Sequence, residues 1–288
     1  MSSSVRVAKR GAMTLRGTTF AWGTRTFVMG IVNATPDSFS GDGRIEPNDA
    51  IARGCAMLDA GADLLDIGAE STRPGHTAID VSEERRRLLP VVRGLRDARP
   101  GAVLSIDTYK PDVFASAYDD GADLLNSIWG FDDALLACAV EREVPIVVMH
   151  NRREFGPGDV VDEVLESLER QAERAVRAGI ASDRVIVDPG IGFGKTPDQN
   201  LALLASLDRL VALGFPTLLG TSRKSTIGKL TGRDVDERTY GTAATVALAI
   251  AARIDIIRVH DVAAMFDVVR VSDAIVRGWR PETWLEKR

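Results

Sequence analysis

Short apolar runs alternate with longer segments of helical periodicity from residue 27 onward. The short runs have the length of buried strands, and the longer segments have the spacing of amphipathic helices. Eight strands are predicted, at 27–33, 63–68, 103–108, 124–129, 145–150, 185–189, 217–222 and 255–260. Eight helices are predicted, near 48–60, 82–99, 111–120, 133–142, 159–178, 198–213, 240–252 and 262–277. This alternation is typical of repeated βα units around a parallel sheet.

An internal sequence repeat supports the division into βα units. The stretches "AGADLLDIG" (60–68) and "DGADLLNSI" (120–128) both join a glycine-capped helix end to an apolar strand. Eight such units predict an α/β protein, a single (β/α)8 TIM barrel over 27–280. Residues 1–26 are expected to be a partly flexible tail and lead-in. A doubly wound sheet is the alternative, but the chain shows neither a nucleotide fingerprint nor a break in composition.

Polar side chains stand at the carboxyl end of every predicted strand, and those ends form the working face of a parallel barrel. Any one of them alone is often only a cap or a turn residue. Eight such positions converging on one rim predict a functional site there. They include Asn33, Asp66, Asp107, Asn126, His150, Asp188, Thr221 to Lys224, and Arg258 to Asp261.

The rim residues divide by charge. Asp107, Asn126 and Asp188 supply acceptors and an amide, which suit a flat heterocycle with ring N–H and carbonyl groups. The alternative for the two acids is that they only neutralise neighbouring cations. Five other residues can surround an anion, so a phosphorylated substrate is predicted. These are Arg73, Arg223, Lys224, Arg258 and His260.

The stretch "GIGFGKT" (190–196) resembles two phosphate-binding motifs and matches neither. A P-loop requires glycine where Pro189 stands, and a dinucleotide fingerprint requires glycine where Lys195 stands.

Composition favours a small-molecule partner. The chain has 45% hydrophobic residues, enough for a large core, and a net charge of -5, which gives no general attraction to nucleic acid or anionic membranes. Cys55 and Cys138 lack metal-ligand spacing and suit a reducing cytoplasm. No apolar run approaches the ~18 residues of a membrane span, and no secretory segment is evident. The first 36 residues contain no acid, so a transit peptide is the alternative to a basic tail.

Seven segments resemble the dihydropteroate synthase family in order and spacing, from about residue 29 to 262. They read "GIVNATPDSFS", "DIGAESTRPG", "SIDTYKP", "LLNSIWG", "VIVDPGIGFGK", "LLGTSRKSTIG" and "IIRVHDV". The resemblance implies a (β/α)8 barrel that joins 6-hydroxymethyl-7,8-dihydropterin pyrophosphate to 4-aminobenzoate with Mg2+, and a homodimer.

The resemblance also implies roles for particular residues. The pterin would be bound by Asp107, Asn126, Asp188 and Lys224. The pyrophosphate or the aminobenzoate would meet Thr72, Arg73, Arg258 and His260, and Phe39, Pro74 and Ser225 would lie near the aminobenzoate. The Mg2+ ligand would be Asn33, and the catalytic group would comprise Asn33, Lys224, Arg258 and His260.

Three positions depart from the usual family pattern. They are Ser127 after Asn126, Ala69 in "DIGAES", and the loop tip 41–44, which belongs to a predicted lid over 34–44. Two alternatives to the family activity are a non-catalytic pterin-binding paralogue and a pterin-dependent methyltransferase barrel. The retained cations disfavour the paralogue, and "ESTRPG" together with "SRKS" disfavours the methyltransferase.

Overall fold

The computed structural model describes residues 11–35, 47–70, 78–152 and 159–280. An antiparallel hairpin of β1 (Ala12–Leu15) and β2 (Thr18–Ala21) comes first. Eight parallel strands follow: β3 (Phe27–Asn33), β4 (Leu64–Gly68), β5 (Val103–Asp107), β6 (Leu124–Ser127), β7 (Ile146–Met149), β8 (Val185–Asp188), β9 (Leu218–Leu219) and β10 (Ile256–Val259). All eight predicted barrel strands are therefore present.

The parallel strands close into a barrel. Their order is β8-β7-β6-β5-β4-β3-β10-β9, and a parallel bridge between Val187 and Thr217 joins the two outer strands. The Val187 amide also donates to the Pro216 carbonyl at 2.8 Å. The predicted (β/α)8 barrel is confirmed.

The helices surround the barrel as predicted, with two differences. They are α1 (Pro47–Asp59), α2 (Val81–Ala98), α3 (Pro111–Asp119), α4 (Asp133–Glu141), α5 (Val160–Arg177), α6 (Pro197–Ala205), α7 (Leu207–Ala212), α8 (Ser225–Thr231), α9 (Thr239–Ala251) and α10 (Val262–Val276). The predicted helix over 198–213 is broken at Ser206, and α8 lies between the predicted strand 217–222 and the predicted helix 240–252, where no element was predicted. At seven residues, α8 is too short to show a periodicity, and Gly232 ends it with a φ of 68°. No described helix is long and apolar enough to cross a membrane.

The hairpin closes the amino end of the barrel. Met13, Phe20 and Trp22 are buried, and the Trp22 indole donates to the Asp183 carbonyl at 2.9 Å. They pack on a layer to which every barrel strand contributes: Phe27 and Met29 from β3, and Leu64, Val103, Leu124, Val147, Ile186, Leu218 and Ile256 from the others. Met13, Phe20 and Trp22 thus belong to the core, although the sequence pattern did not predict strands before residue 27.

Candidate active site

Strand alternation places the polar residues of the site inside the barrel. Leu64, Leu124 and Ile256 face the inner core, whereas Leu65, Leu125 and Ile257 pack under the helices. Side chains alternate faces with a period of two, so the next inward position lies two residues later, and on these three strands it is polar. These positions are Asp66, Asn126 and Arg258, and the same rule gives Ser105 and then Asp107 on β5 and Asp188 on β8.

The strand register sets four neighbouring positions in one row. Asn33 is paired with Gly68, Gly68 with Asp107, and Asp107 with Asn126. The half-buried Asn33 therefore ends β3 in the same row as Asp107 and Asn126, at the carboxyl rim.

Arg258 lies between two carboxylates. Its Nε donates to Asp66 Oδ2 at 2.6 Å, and its Nη2 donates to Asp107 Oδ2 at 3.3 Å. Asn126 Nδ2 also donates to Asp66 Oδ2, at 2.9 Å. The sequence placed Asp66 among the polar strand ends but assigned it no role, because nothing local shows which partners it holds.

A glycine-rich loop after β8 shapes the opposite side. The Gly190 amide donates to Asp188 Oδ1 at 2.7 Å, and Lys224 Nζ lies 3.9 Å from the centre of the Phe193 ring. The buried Lys195 Nζ donates to three backbone carbonyls of His150, Gly190 and Phe193, at 3.2, 2.9 and 3.0 Å. Lys195 thus holds the loop itself, and Phe193 is a wall of the site that the sequence did not predict.

Burial and neighbouring charge set the ionisation of three central groups. Burial raises the pKa of Asp107 to about 7, and the nearby Asp66 charge adds to this effect. Burial likewise raises the pKa of Asp188 to about 6, against the opposing hydrogen bond from Gly190. Burial and the Arg258 charge lower the pKa of Lys224 to about 8. All three groups therefore titrate near neutral pH, as is common at functional sites.

His260 is neutral at pH 7 in this structure. Burial first, and then the Arg258 and Arg223 charges, lower the pKa of its imidazole to about 4. The Nδ1 atom lies 3.0 Å from Ser222 Oγ, and the His260 amide donates to the same oxygen at 3.1 Å. His260 can therefore offer a hydrogen bond to an anion as a neutral donor.

Arg223 differs from its predicted role in surrounding an anion. Its Nε and Nη2 donate to Asp261 at 3.0 and 2.5 Å, and its Nη1 donates to Asp236 at 3.1 Å. Arg223 also has a left-handed φ of 58°. These ion pairs commit its guanidinium to holding the loop that carries Lys224.

The structure brings six predicted site residues to one mouth: Asp107, Asn126, Asp188, Lys224, Arg258 and His260. Asn33 joins them by register. Thr72, Arg73, Phe39, Pro74 and the loop tip 41–44 lie outside the described residues. Ser127, one of the departures, is buried, and its Oγ donates to the Gly130 carbonyl at 2.6 Å, within the turn after β6.

The barrel and its mouth of carboxylates, amide and cations define an enzyme of the pterin-binding class. A family model described as pterin binding enzyme matches residues 29–260. A dihydropteroate synthase of Synechocystis is 42% identical over 274 residues, covering 91% of this chain and 93% of that protein. The chain belongs to the dihydropteroate synthase family, as the seven segments predicted.

Two solved structures show the same architecture. The Xanthomonas albilineans dihydropteroate synthase with 4-aminobenzoic acid superposes with a TM-score of 0.87 at 42% identity, covering 92% of this chain and 97% of that one. The same enzyme in complex with 7,8-dihydropteroate gives a TM-score of 0.81 at 42% identity, covering 88% and 94%.

Proposed function

We propose that this protein joins 6-hydroxymethyl-7,8-dihydropterin pyrophosphate to 4-aminobenzoate, giving 7,8-dihydropteroate and pyrophosphate. The observation that carries the proposal is the convergence of Asp107, Asn126, Asp188 and Lys224 beside Arg258 and His260 in one barrel mouth. Family membership supports the same reaction.

The pterin would be recognised by complementary hydrogen bonds. The ionised Asp107 and Asp188 would accept from ring N–H and amino groups, Asn126 would pair through its amide, and Lys224 would donate to the ring carbonyl. Because these groups are largely buried, a ring that leaves one of them unpaired would bind poorly.

The reaction breaks the bond between the pterin methylene and a pyrophosphate oxygen and forms a bond to the aromatic amine, which then loses a proton. An aromatic amine is a weak nucleophile, so the step depends on stabilising the departing anion. Arg258 supplies a charged donor for this purpose, and neutral His260 supplies a further donor. No side chain needs to form a covalent intermediate.

Asn33 fits a metal that arrives with the substrate. The described residues contain no group of three His, Cys, Asp or Glu side chains that could hold a metal ion by themselves. Mg2+ commonly binds through one or two protein oxygens together with substrate phosphates and water. The amide oxygen of Asn33 at the rim would serve as such a ligand. Bound Mg2+ would supply Lewis-acid stabilisation of the departing pyrophosphate.

Helices α9 and α10 support the proposal of a homodimer. Tyr240 and Leu248 on α9 and Val271 and Ile275 on α10 are exposed apolar side chains on two helices that pack together. We propose that these side chains form one apolar patch, and a contiguous patch commonly marks a protein interface. We propose a cytoplasmic location because the two cysteines form no disulfide, as is usual in a reducing compartment. Sedimentation of the protein and of Leu248→Asp tests the dimer, since the variant should sediment as a monomer.

The proposed reaction is tested by supplying both substrates with and without Mg2+ and following pyrophosphate and dihydropteroate. We expect Asp188→Asn to lower kcat/KM by about 100-fold, because a ring N–H loses its charged acceptor. The matched control is Asp208→Asn, since Asp208 is exposed on α7. Pterin binding without product would favour the non-catalytic paralogue, and methyl transfer to a corrinoid protein would favour the methyltransferase.

A further inference from the structure

Asp66 connects three other strands beneath the rim. Its side chain is fully buried, and Oδ1 accepts from Ser105 on β5 at 2.6 Å. Its Oδ2 accepts from Asn126 on β6 and from Arg258 on β10, at 2.9 and 2.6 Å. One carboxylate therefore binds two side chains that the proposed reaction places against the substrates.

The position of Asp66 in the barrel argues against a purely structural ion pair. It follows Leu64 by two residues, so it lies in the first polar layer above the apolar layer at the bottom of the barrel. Apolar side chains can fill such a layer at no desolvation cost, whereas a buried carboxylate is costly unless it is fully paired. Two of the three donors that offset this cost, Asn126 and Arg258, reach the mouth.

Asp66 also restricts the Arg258 guanidinium. The Nε atom donates to Asp66, and Nη2 on the adjacent branch donates to Asp107 at 3.3 Å. A planar guanidinium held from two sides has a defined orientation. If Asp66 were absent, the same guanidinium could turn fully onto Asp107 and away from the departing anion.

We propose that Asp66 is a positioning residue, whose buried carboxylate orients Arg258 and Asn126 toward the substrates and acts on the charge state of Asp107. This inference rests on the proposed function. The charged groups facing Asp107 are Asp66, Arg258, Glu84 and Lys224. Asp66 and Glu84 disfavour the ionised Asp107, and Arg258 and Lys224 favour it.

The test compares Asp66→Asn with Ser105→Ala, which removes a hydrogen bond to Asp66 but leaves its charge and its other partners. We expect Asp66→Asn to lower kcat/KM by about 30-fold or more, because the common acceptor of Arg258 and Asn126 loses its negative charge. We also expect the acid limb of the pH profile to move to lower pH, because a negative charge beside Asp107 is removed. The kcat/KM of Ser105→Ala should stay within about threefold of that of the parent protein, and the acid limb of its pH profile should not move.

A parent-like kcat/KM together with a parent-like acid limb in a folded Asp66→Asn protein would overturn the proposal. Failure of the parent protein to form dihydropteroate would instead refute the proposed function. A loss of activity in Asp66→Asn without a shift of the acid limb of the pH profile would also count against the inference, since a merely structural role predicts that result.

A second comparison remains valid if Asp66→Asn does not fold. The double variant Asp66→Asn with Arg258→Gln removes both buried charges, so it leaves neither charge uncompensated. The probe is 6-hydroxymethyl-7,8-dihydropterin, with its binding measured by calorimetry across pH. The acid limb of binding should lie at lower pH in the double variant than in Arg258→Gln alone. Acid limbs at the same pH in these two variants would contradict an effect of Asp66 on the ionisation of Asp107.

Discussion

The backbone amide of Gly190 donates to the Asp188 carboxylate at 2.7 Å, two residues back along the chain. Gly190 has a left-handed φ of 68°, and it lies against the end of the preceding strand, β7. A Cβ built on Gly190 would lie 2.0 Å from the His150 carbonyl oxygen. The orientation of Asp188 therefore depends on a residue with no side chain at this position.

Gly190→Ala should destabilise the protein and weaken pterin binding. We expect the free energy of unfolding to fall by about 3 kcal/mol, because the methyl group meets backbone in a left-handed conformation. The matched control is Gly214→Ala, since Gly214 has a φ of 83° and no atom near its Cβ position. It should lose only about 1 kcal/mol. Urea unfolding of both variants measures the difference in the free energy of unfolding. Equal losses in the two variants would show that the contact with His150 does not destabilise Gly190→Ala.

Pterin binding should depend on pH in a bell-shaped manner. Binding should strengthen as pH rises through about 6 and 7, where Asp188 and Asp107 become acceptors. It should weaken above about 8, where Lys224 loses its charge. These groups lie close together, so the limbs report macroscopic pKa values of the cluster. Binding is measured by calorimetry with 6-hydroxymethyl-7,8-dihydropterin. This ligand carries no phosphate, so titration of a substrate phosphate cannot cause the pH dependence. An affinity that is constant from pH 5 to 9 would contradict this assignment.

Trp22→Ala should lower stability without changing the site. We expect a loss of about 3 to 5 kcal/mol, because a large buried side chain leaves a cavity beneath the barrel. Trp129→Ala is the control, since that side chain is 44% exposed, and it should cost less than about 1 kcal/mol. Thermal unfolding measures both. At a temperature where the protein stays folded, Trp22→Ala should keep parental kcat, because the hairpin lies at the opposite end from Asp107. A large loss of kcat would contradict that separation.

Sulfonamides should compete with 4-aminobenzoate. Both carry an aromatic amine opposite an acidic group, so the pocket proposed for the aminobenzoate should accept either. Initial rates at several aminobenzoate concentrations should show a raised KM for aminobenzoate and an unchanged kcat. A lowered kcat with an unchanged KM would place the inhibitor elsewhere.

Much of the fold and of the candidate site follows from local pattern. Alternation with a period of two in "LLDIG" and "LLNSI" indicates which face Asp66 and Asn126 share, and the longer helical segments separate the strands. Three elements lacked such a signal. The strands β1 and β2 have four residues each, and α8 has seven, so none is long enough to establish a period.

The sequence by itself determined the eight βα units, the family, and the set of polar residues at the carboxyl rim. Tertiary structure decided which of these residues pair. Arg258 and Asp66 are separated by 192 positions and meet because the barrel closes. Arg223 is held by Asp261 and Asp236, and burial beside Arg258 keeps His260 neutral. Periodicity is a local property of the chain, whereas pairing and ionisation depend on which charges the closed barrel brings within a few ångströms.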